Sequence, residues 1–195
     1  MFTTGLVLAA GTSSRLGQPK QLLEYRGRTL LDNTLDVARS CSFDQLIVAL
    51  GGAAAAVRDH VDLSDCVVID NVHYTTGCSS TIVAALDSID QRADGMVLLL
   101  GDQPDVATSS VDALLTAAAA GSASIAICHY EDGRGHPFWF DRSTFDAITG
   151  LHGDKAVWKM IESGRWPVAD VTIAGNVPLD VDTWDDYENL KSASA

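Results

Sequence analysis

The stretch Leu6-Val7-Leu8-Ala9-Ala10-Gly11-Thr12-Ser13-Ser14-Arg15-Leu16-Gly17-Gln18-Pro19-Lys20 sets the frame for the rest of the sequence. A short continuous apolar run that ends in glycine is the pattern of a strand buried on both faces. The loop behind it carries two glycines, two serines, an arginine and a lysine. Glycines let backbone N–H groups approach a polyphosphate, and Arg15 and Lys20 can clamp its oxygens. The dinucleotide fingerprint G-x-G-x-x-G is absent, because Gly11 and Gly17 stand six positions apart. The P-loop pattern fails too, since Lys20 falls three residues past Gly17 and precedes Gln21. The loop suits phosphate by neither of those routes.

Outward from this strand, short apolar runs alternate with helical patterns. Strands are predicted at 45–50, 66–70, 96–100 and 124–128, with an extended segment at 168–174. Helices are predicted from Leu30, at 53–60, 79–91, 111–120, 142–149 and 155–162, and after Asp182. In 79–91, Ile82, Ala85, Leu86 and Ile89 form the inward face. Gly133-Arg134-Gly135-His136-Pro137 is expected to break the chain ahead of Phe138-Trp139-Phe140. The β-α alternation predicts an α/β fold of three layers, a Rossmann-like and mostly parallel sheet with helices on both faces. No repeat or linker divides 1–195, so one domain is expected.

Composition narrows the class. Apolar residues make up 47% and charged residues 20% of 195, which suits a globular chain with a full core. Thirteen basic residues against 26 acidic give a net charge of −13. That argues against nucleic acid or an anionic membrane as partner. The apolar stretch 47–57 is too short for a bilayer and contains Gly51 and Gly52. No basic residue precedes 6–10, so no secretory signal is expected. Cys41, Cys66, Cys78 and Cys128 form no CxxC pair, as expected of reduced thiols in a cytoplasm. Against the acidic whole, Arg15, Lys20, Arg26 and Arg28 face Glu24 alone within 1–28. A polyanion has one attractive place to dock.

Ligands of open α/β sheets bind outside the carboxyl ends of the strands. Leu100-Gly101-Asp102-Gln103-Pro104 places Asp102 at such an end, where a carboxylate opposite a phosphate loop suits Mg²⁺; an ordinary turn or helix cap is the other reading. In Leu179-Asp180-Val181-Asp182-Thr183, Asp180 and Asp182 share a face if extended. Asp182 or Thr183 could equally cap the last helix, so metal and cap roles stay open. The histidines at 60, 73, 129, 136 and 152 lack paired-ligand spacing, which disfavours zinc. Ser79 and Ser80 lack a G-x-S-x-G setting, and Cys78 alone is an ordinary packing residue.

The first segment resembles the LAAGxSxRxGxxKxLL signature of the MobA-like nucleotidyltransferases, in particular the molybdenum cofactor cytidylyltransferases. Asn71 through Gly77-Cys78-Ser79-Ser80 is similar to the family's Asn…Gly-Met-Ser-x-Ser segment. Gly101-Asp102-Gln103-Pro104 resembles its GDQP, Gly135-His136-Pro137 its G-x-P, Gly153-Asp154-Lys155 its GD-(K/R)-G, and Asp180-Val181-Asp182-Thr183 its D-I-D-T. The resemblance implies a nucleotidyltransferase fold in which Leu8, Ala9, Ala10 and Gly11 hold the nucleoside and Arg15 and Lys20 grip the triphosphate. It implies Ser79 and Ser80 near base or ribose, and Mg²⁺ on Asp102 with Asp182, Asp180 being the alternative. Arg15, Lys20 and Asp102 would be catalytic. Within the family, Leu-Ala-Ala-Gly goes with CTP and Leu-Ala-Gly-Gly with GTP, so Ala10 points to CTP. The implied acceptor is the phosphate of molybdopterin, with a molybdoenzyme or its chaperone as protein partner. A GTP-using enzyme, another acceptor, or a silent carrier of nucleotide or cofactor are the alternatives. Leu16, Cys78, Ala156 and Trp184 depart from the family pattern, mainly on the acceptor side.

Overall fold

The computed structural model describes residues 1–121 and 123–193. In chain order the elements are β1 (Thr3–Ala9), β2 (Glu24–Tyr25), β3 (Arg28–Thr29), α1 (Leu30–Ser40), β4 (Gln45–Leu50), α2 (Ala54–His60), β5 (Val67–Asp70) and α3 (Cys78–Leu86). There follow β6 (Gly95–Leu100), α4 (Thr108–Ala119), β7 (Ile125–Tyr130), β8 (Gly133–Asp141), α5 (Phe145–Ile148), α6 (Ala156–Glu162), β9 (Val168–Thr172) and α7 (Trp184–Ala193). Among the described residues, seven strands make one sheet in the order β5-β4-β1-β6-β8-β7-β9, while β2 and β3 pair as a small hairpin. Only β8 runs against the others of that sheet.

The expected mostly parallel, three-layer α/β architecture is what forms. In β1 every residue is buried, which is why its sequence reads as an unbroken apolar run. Alternate residues feed two cores. Val7, Val48, Val97 and Leu99 pack with Leu31 and Leu35 of α1 and Val111 and Leu114 of α4. Leu6, Ile47, Met96 and Leu98 pack on the other face with Ile82 of α3 and Val157 and Met160 of α6. A third, smaller cluster joins Leu16, Leu23, Tyr25 and Leu30 to Val181, Tyr187 and Leu190. Among the described residues, no helix is long and apolar enough to cross a membrane.

Two expectations are corrected. The break at 133–137 is absent, because β8 continues from Gly133 to Asp141. Its pairing with β6 ends at Leu98 opposite Phe138. On the other side, the register jumps from Ile127–Phe138 to Cys128–Gly135. His136 and Pro137 fall in that gap, so the proline's missing N–H removes no ladder bond. The helix predicted over 79–91 ends at Leu86. Tight turns, in which Ser88 and Ile89 donate to the carbonyls of Ala85 and Leu86, carry the chain onward. Ile89 stays buried in the core regardless.

Candidate functional site

At the carboxyl ends of β1 and β6 lies a cleft of about 450 Å³. Its floor is Leu8 to Gly11, its rim is 12–15 with Lys20 and Gln21, and Cys78, Asp102, Asp154 and Asp182 close the far side. The loop after β1 is held by its own side chains. Ser13 adopts φ 51°, and its carbonyl accepts from Leu16 and Gly17 N–H at 3.0 and 3.2 Å. Ser13 Oγ accepts the Lys20 N–H at 2.9 Å. The Gln21 amide, buried beneath the loop, donates from Nε2 to Ala9 O at 2.8 Å and to Gly11 O at 3.3 Å. Lys20 is thereby fixed at its backbone and extends into the cleft.

There its ammonium meets two carboxylates. Nζ donates to Asp102 Oδ2 and, at 2.7 Å, to Asp182 Oδ1. Arg15 Nη2 approaches Asp182 Oδ2 at 3.4 Å from the solvent side. Burial alone would lower the Lys20 pKa, but Asp102 and then Asp182 outweigh it and hold it above the usual lysine value. The hydrogen bond from Lys20 holds Asp182 below the usual carboxylate range. Positions far apart in sequence thus converge on one charge cluster.

The last segment resolves the cap question left by the sequence. Thr183 and Asp186 form a reciprocal pair at the start of α7. Asp186 Oδ2 accepts Thr183 N–H at 2.8 Å, and Thr183 Oγ1 accepts Asp186 N–H at 3.2 Å. Asp182 is left free to reach Lys20, and Val181 between the two aspartates is fully buried. Asp180 instead accepts the Gln103 amide, which also donates to Pro178 O at 3.0 Å. Crowding by protein, and then the Asp102 charge, push the Asp180 carboxyl up to about 6, although part of it faces solvent. A raised carboxyl pKa favours the neutral form in the folded state. The associated cost is absent below pH ~4, grows between about 4 and 6, and is fully present above. Asp180→Asn is therefore expected to stabilise the protein at pH 7.5 and to change little at pH 4. Thermal melts at the two pH values check this; an equal shift at both would place the effect elsewhere.

Ser79 and Ser80 are not brought to this cleft. Ser79 is buried, and Ser80 Oγ donates to Gly77 O at 2.7 Å and accepts from Asn71 Nδ2 at 2.9 Å, tying the turn before α3. Both border a neighbouring cavity with His73 and His152. A close backbone contact separates the two spaces: Gly77 sits at φ 113°, and a Cβ there would lie 2.8 Å from Gly153 C. Cys78, at the cleft, is exposed at the surface, yet crowding by the surrounding protein and then Asp154 push its thiol up to about 11, so it is no ready nucleophile.

Gln21 and Asp154 are cleft residues given no role in the reading of the sequence. Gln21 directly follows Lys20, and a polar residue inside an apolar-flanked turn was its only signal. Asp154 Oδ1 accepts the Cys78 N–H at 2.9 Å and so fixes the entry to α3. Its signal was the Gly153-Asp154-Lys155 motif.

The family model of the MobA-like NTP transferase domain matches residues 5–169. The chain belongs to that family. Among its relatives is nicotine blue oxidoreductase of Paenarthrobacter nicotinovorans, 30% identical over 172 residues that cover 85% of this chain and 84% of that protein. The crystal structure of Rv0371c from Mycobacterium tuberculosis H37Rv is 51% identical, with a TM-score of 0.91 and 98% of each chain covered. A manganese complex of Rv0371c is 48% identical, with a TM-score of 0.87 over 99% of this chain and 100% of that one. The chain is thus a nucleotidyltransferase by family, and it has the fold of one.

Proposed function

We propose that this MobA-like protein transfers a cytidylyl group from CTP to the phosphate of a molybdopterin-type acceptor and releases pyrophosphate. The observation that carries this reading is the Lys20 ammonium held by Asp102 and Asp182 at the mouth of a glycine-lined cleft. That constellation handles phosphate charge. The relative's name denotes a redox activity, whereas the cation and carboxylate chemistry of this cleft supports phosphoryl chemistry.

Mg²⁺ fits the residues present. Asp102 and Asp182 already converge on one cation, the Lys20 ammonium, and their oxygens are the hard donors that Mg²⁺ prefers. Among the described residues, no group of three or more His, Cys, Asp or Glu is placed to hold a metal. Mg²⁺ is commonly held by one or two carboxylates, with phosphates and water completing the shell, so two suffice. The manganese complex of Rv0371c supports a divalent ion in this family. Bound to Asp102 and Asp182, the ion would neutralise charge on the phosphate undergoing attack.

The protein's part is alignment and charge. An acceptor phosphate is ionised near neutral pH, so its oxygen can attack the α-phosphorus in line without a strong base. Arg15 and Lys20 balance the charge that builds on the departing pyrophosphate, and the backbone of 9–11 fixes the nucleoside end. No covalent intermediate is required, in keeping with the protonated Cys78 thiol. A silent carrier would need no such convergence of cations and carboxylates.

Mass analysis of products from labelled NTPs incubated with an acceptor extract tests this proposal. A CMP adduct with equimolar pyrophosphate is expected, and nucleotide binding without any adduct would favour the carrier. CTP is expected to exceed GTP in kcat/KM. Ala10 lines the cleft beside Gly51, where an added Cβ would lie 2.9 Å from the Ala10 methyl. Ala10→Gly opens that corner and is expected to narrow the preference. Equal use of both nucleotides by the unaltered protein would overturn the assignment of CTP.

A further inference from the structure

We propose that the Lys20 ammonium holds the place of the divalent cation in the nucleotide-free protein, so that the cation binds weakly until a triphosphate draws Lys20 away from Asp102 and Asp182. This rests on the reading of the cleft as an NTP site.

Both carboxylates are already paired without a metal. The side chains of Lys20 and Asp102 are 12% and 16% exposed, so their pairing is largely shielded from water. Asp182 gives one oxygen to Lys20 and turns the other toward Arg15. A metal ligated by Asp102 and Asp182 must occupy the space that Nζ fills. Two cations compete for it, because a divalent ion repels an adjacent ammonium at double strength on the Asp102 side of the cleft, where water screens least.

Lys20 is also built to move only at its tip. Ser13 Oγ holds its backbone N–H, and its stem passes Gly11, where an added Cβ would lie 3.4 Å from Lys20 Cε. Among the described residues, Nζ pairs with the two carboxylates alone. A nucleotide whose nucleoside end rests on the backbone of 9–11 would present its triphosphate oxygens within the same cleft. Rotation of the terminal methylenes then exchanges one anionic partner for another and leaves the ammonium paired throughout. The same event frees two carboxylates and supplies the phosphate oxygens that a two-carboxylate metal site lacks. Nucleotide and metal are therefore coupled positively, and each raises the affinity for the other by the same factor.

Mn²⁺ binding to the nucleotide-free protein, followed by the EPR signal of the free ion, tests this without any turnover. Lys20→Met is expected to bind Mn²⁺ about tenfold or more tightly than the unaltered protein, within the usual span of such couplings. Lys20→Arg keeps a blocking charge and is expected to show no gain. Adding Asp182→Asn to Lys20→Met should remove the gain. Lys20→Gln serves the same purpose should Lys20→Met fail to fold in a thermal melt. Equal Mn²⁺ affinity with and without Lys20, or a gain shared by Lys20→Arg, overturns the displacement. In that event, loss of binding on Asp182→Asn still upholds the metal site. Absence of Mn²⁺ binding from every variant overturns both readings.

Discussion

Asp102→Asn is expected to lower metal-dependent turnover by about 10²–10³-fold, the scale on which removal of one preorganised charge acts in a dry site. Asp182→Asn should do nearly the same, and the double variant scarcely worse than either, because two ligands of one ion act as a unit. The α7 cap is formed by Thr183 and Asp186, so Asp182→Asn leaves the helix intact. A large fall in melting temperature for Asp182→Asn would contradict that division of roles. Near-normal turnover in Asp182→Asn together with a dead Asp180→Asn would move the metal to Asp180. Steady-state pyrophosphate release at saturating nucleotide and varied Mg²⁺ measures all four variants.

Phe138→Ala is expected to cost about 3–5 kcal/mol in chemical denaturation. The ring is fully buried within the core shared by β1, β6 and α6. It stacks on His136 at 4.0 Å between centroids and meets Trp158 edge-on at 5.2 Å. Truncation leaves a cavity in the middle of the sheet face, where neighbouring strands cannot collapse to fill it. A cost below about 1 kcal/mol would mean that this face repacks freely.

Much of this architecture could be read directly from residues. Continuous apolar runs at 6–10 and 96–100 mark strands covered on both faces, and those are the inner strands β1 and β6. Arg15, Lys20 and Asp102 converge because β1 and β6 end side by side, and Asp182 joins them through the bond from Val181 N–H to Asp102 O. β8 was not legible, because glycine and proline are local signals while the register gap that shelters Pro137 is set by β6 and β7. Gln21 and Asp154 stayed hidden for a similar reason. Gln21 serves carbonyls of its own loop, and Asp154 serves a backbone N–H 76 positions away. Which residue caps α7 was not legible either, because it is a contest among residues that all cap well, won by Thr183 and Asp186.

The small cluster that joins Leu16, Leu23, Tyr25 and Leu30 to Val181, Tyr187 and Leu190 has a kinetic meaning. It lies apart from the two sheet-face cores, and through Val181 it anchors the backbone that carries Asp182. Small satellite clusters open at lower free energy than the main core. Amide hydrogens around Val181 and Tyr187 should therefore exchange faster than those of β1 or β6. Opening this clasp would unlatch one wall of the cleft while the sheet stays folded, giving a product a way out that does not require global unfolding. A ligand bridging Lys20 and Asp182 would hold the clasp shut, so the longer it dwells, the slower the amide exchange of this one segment should be.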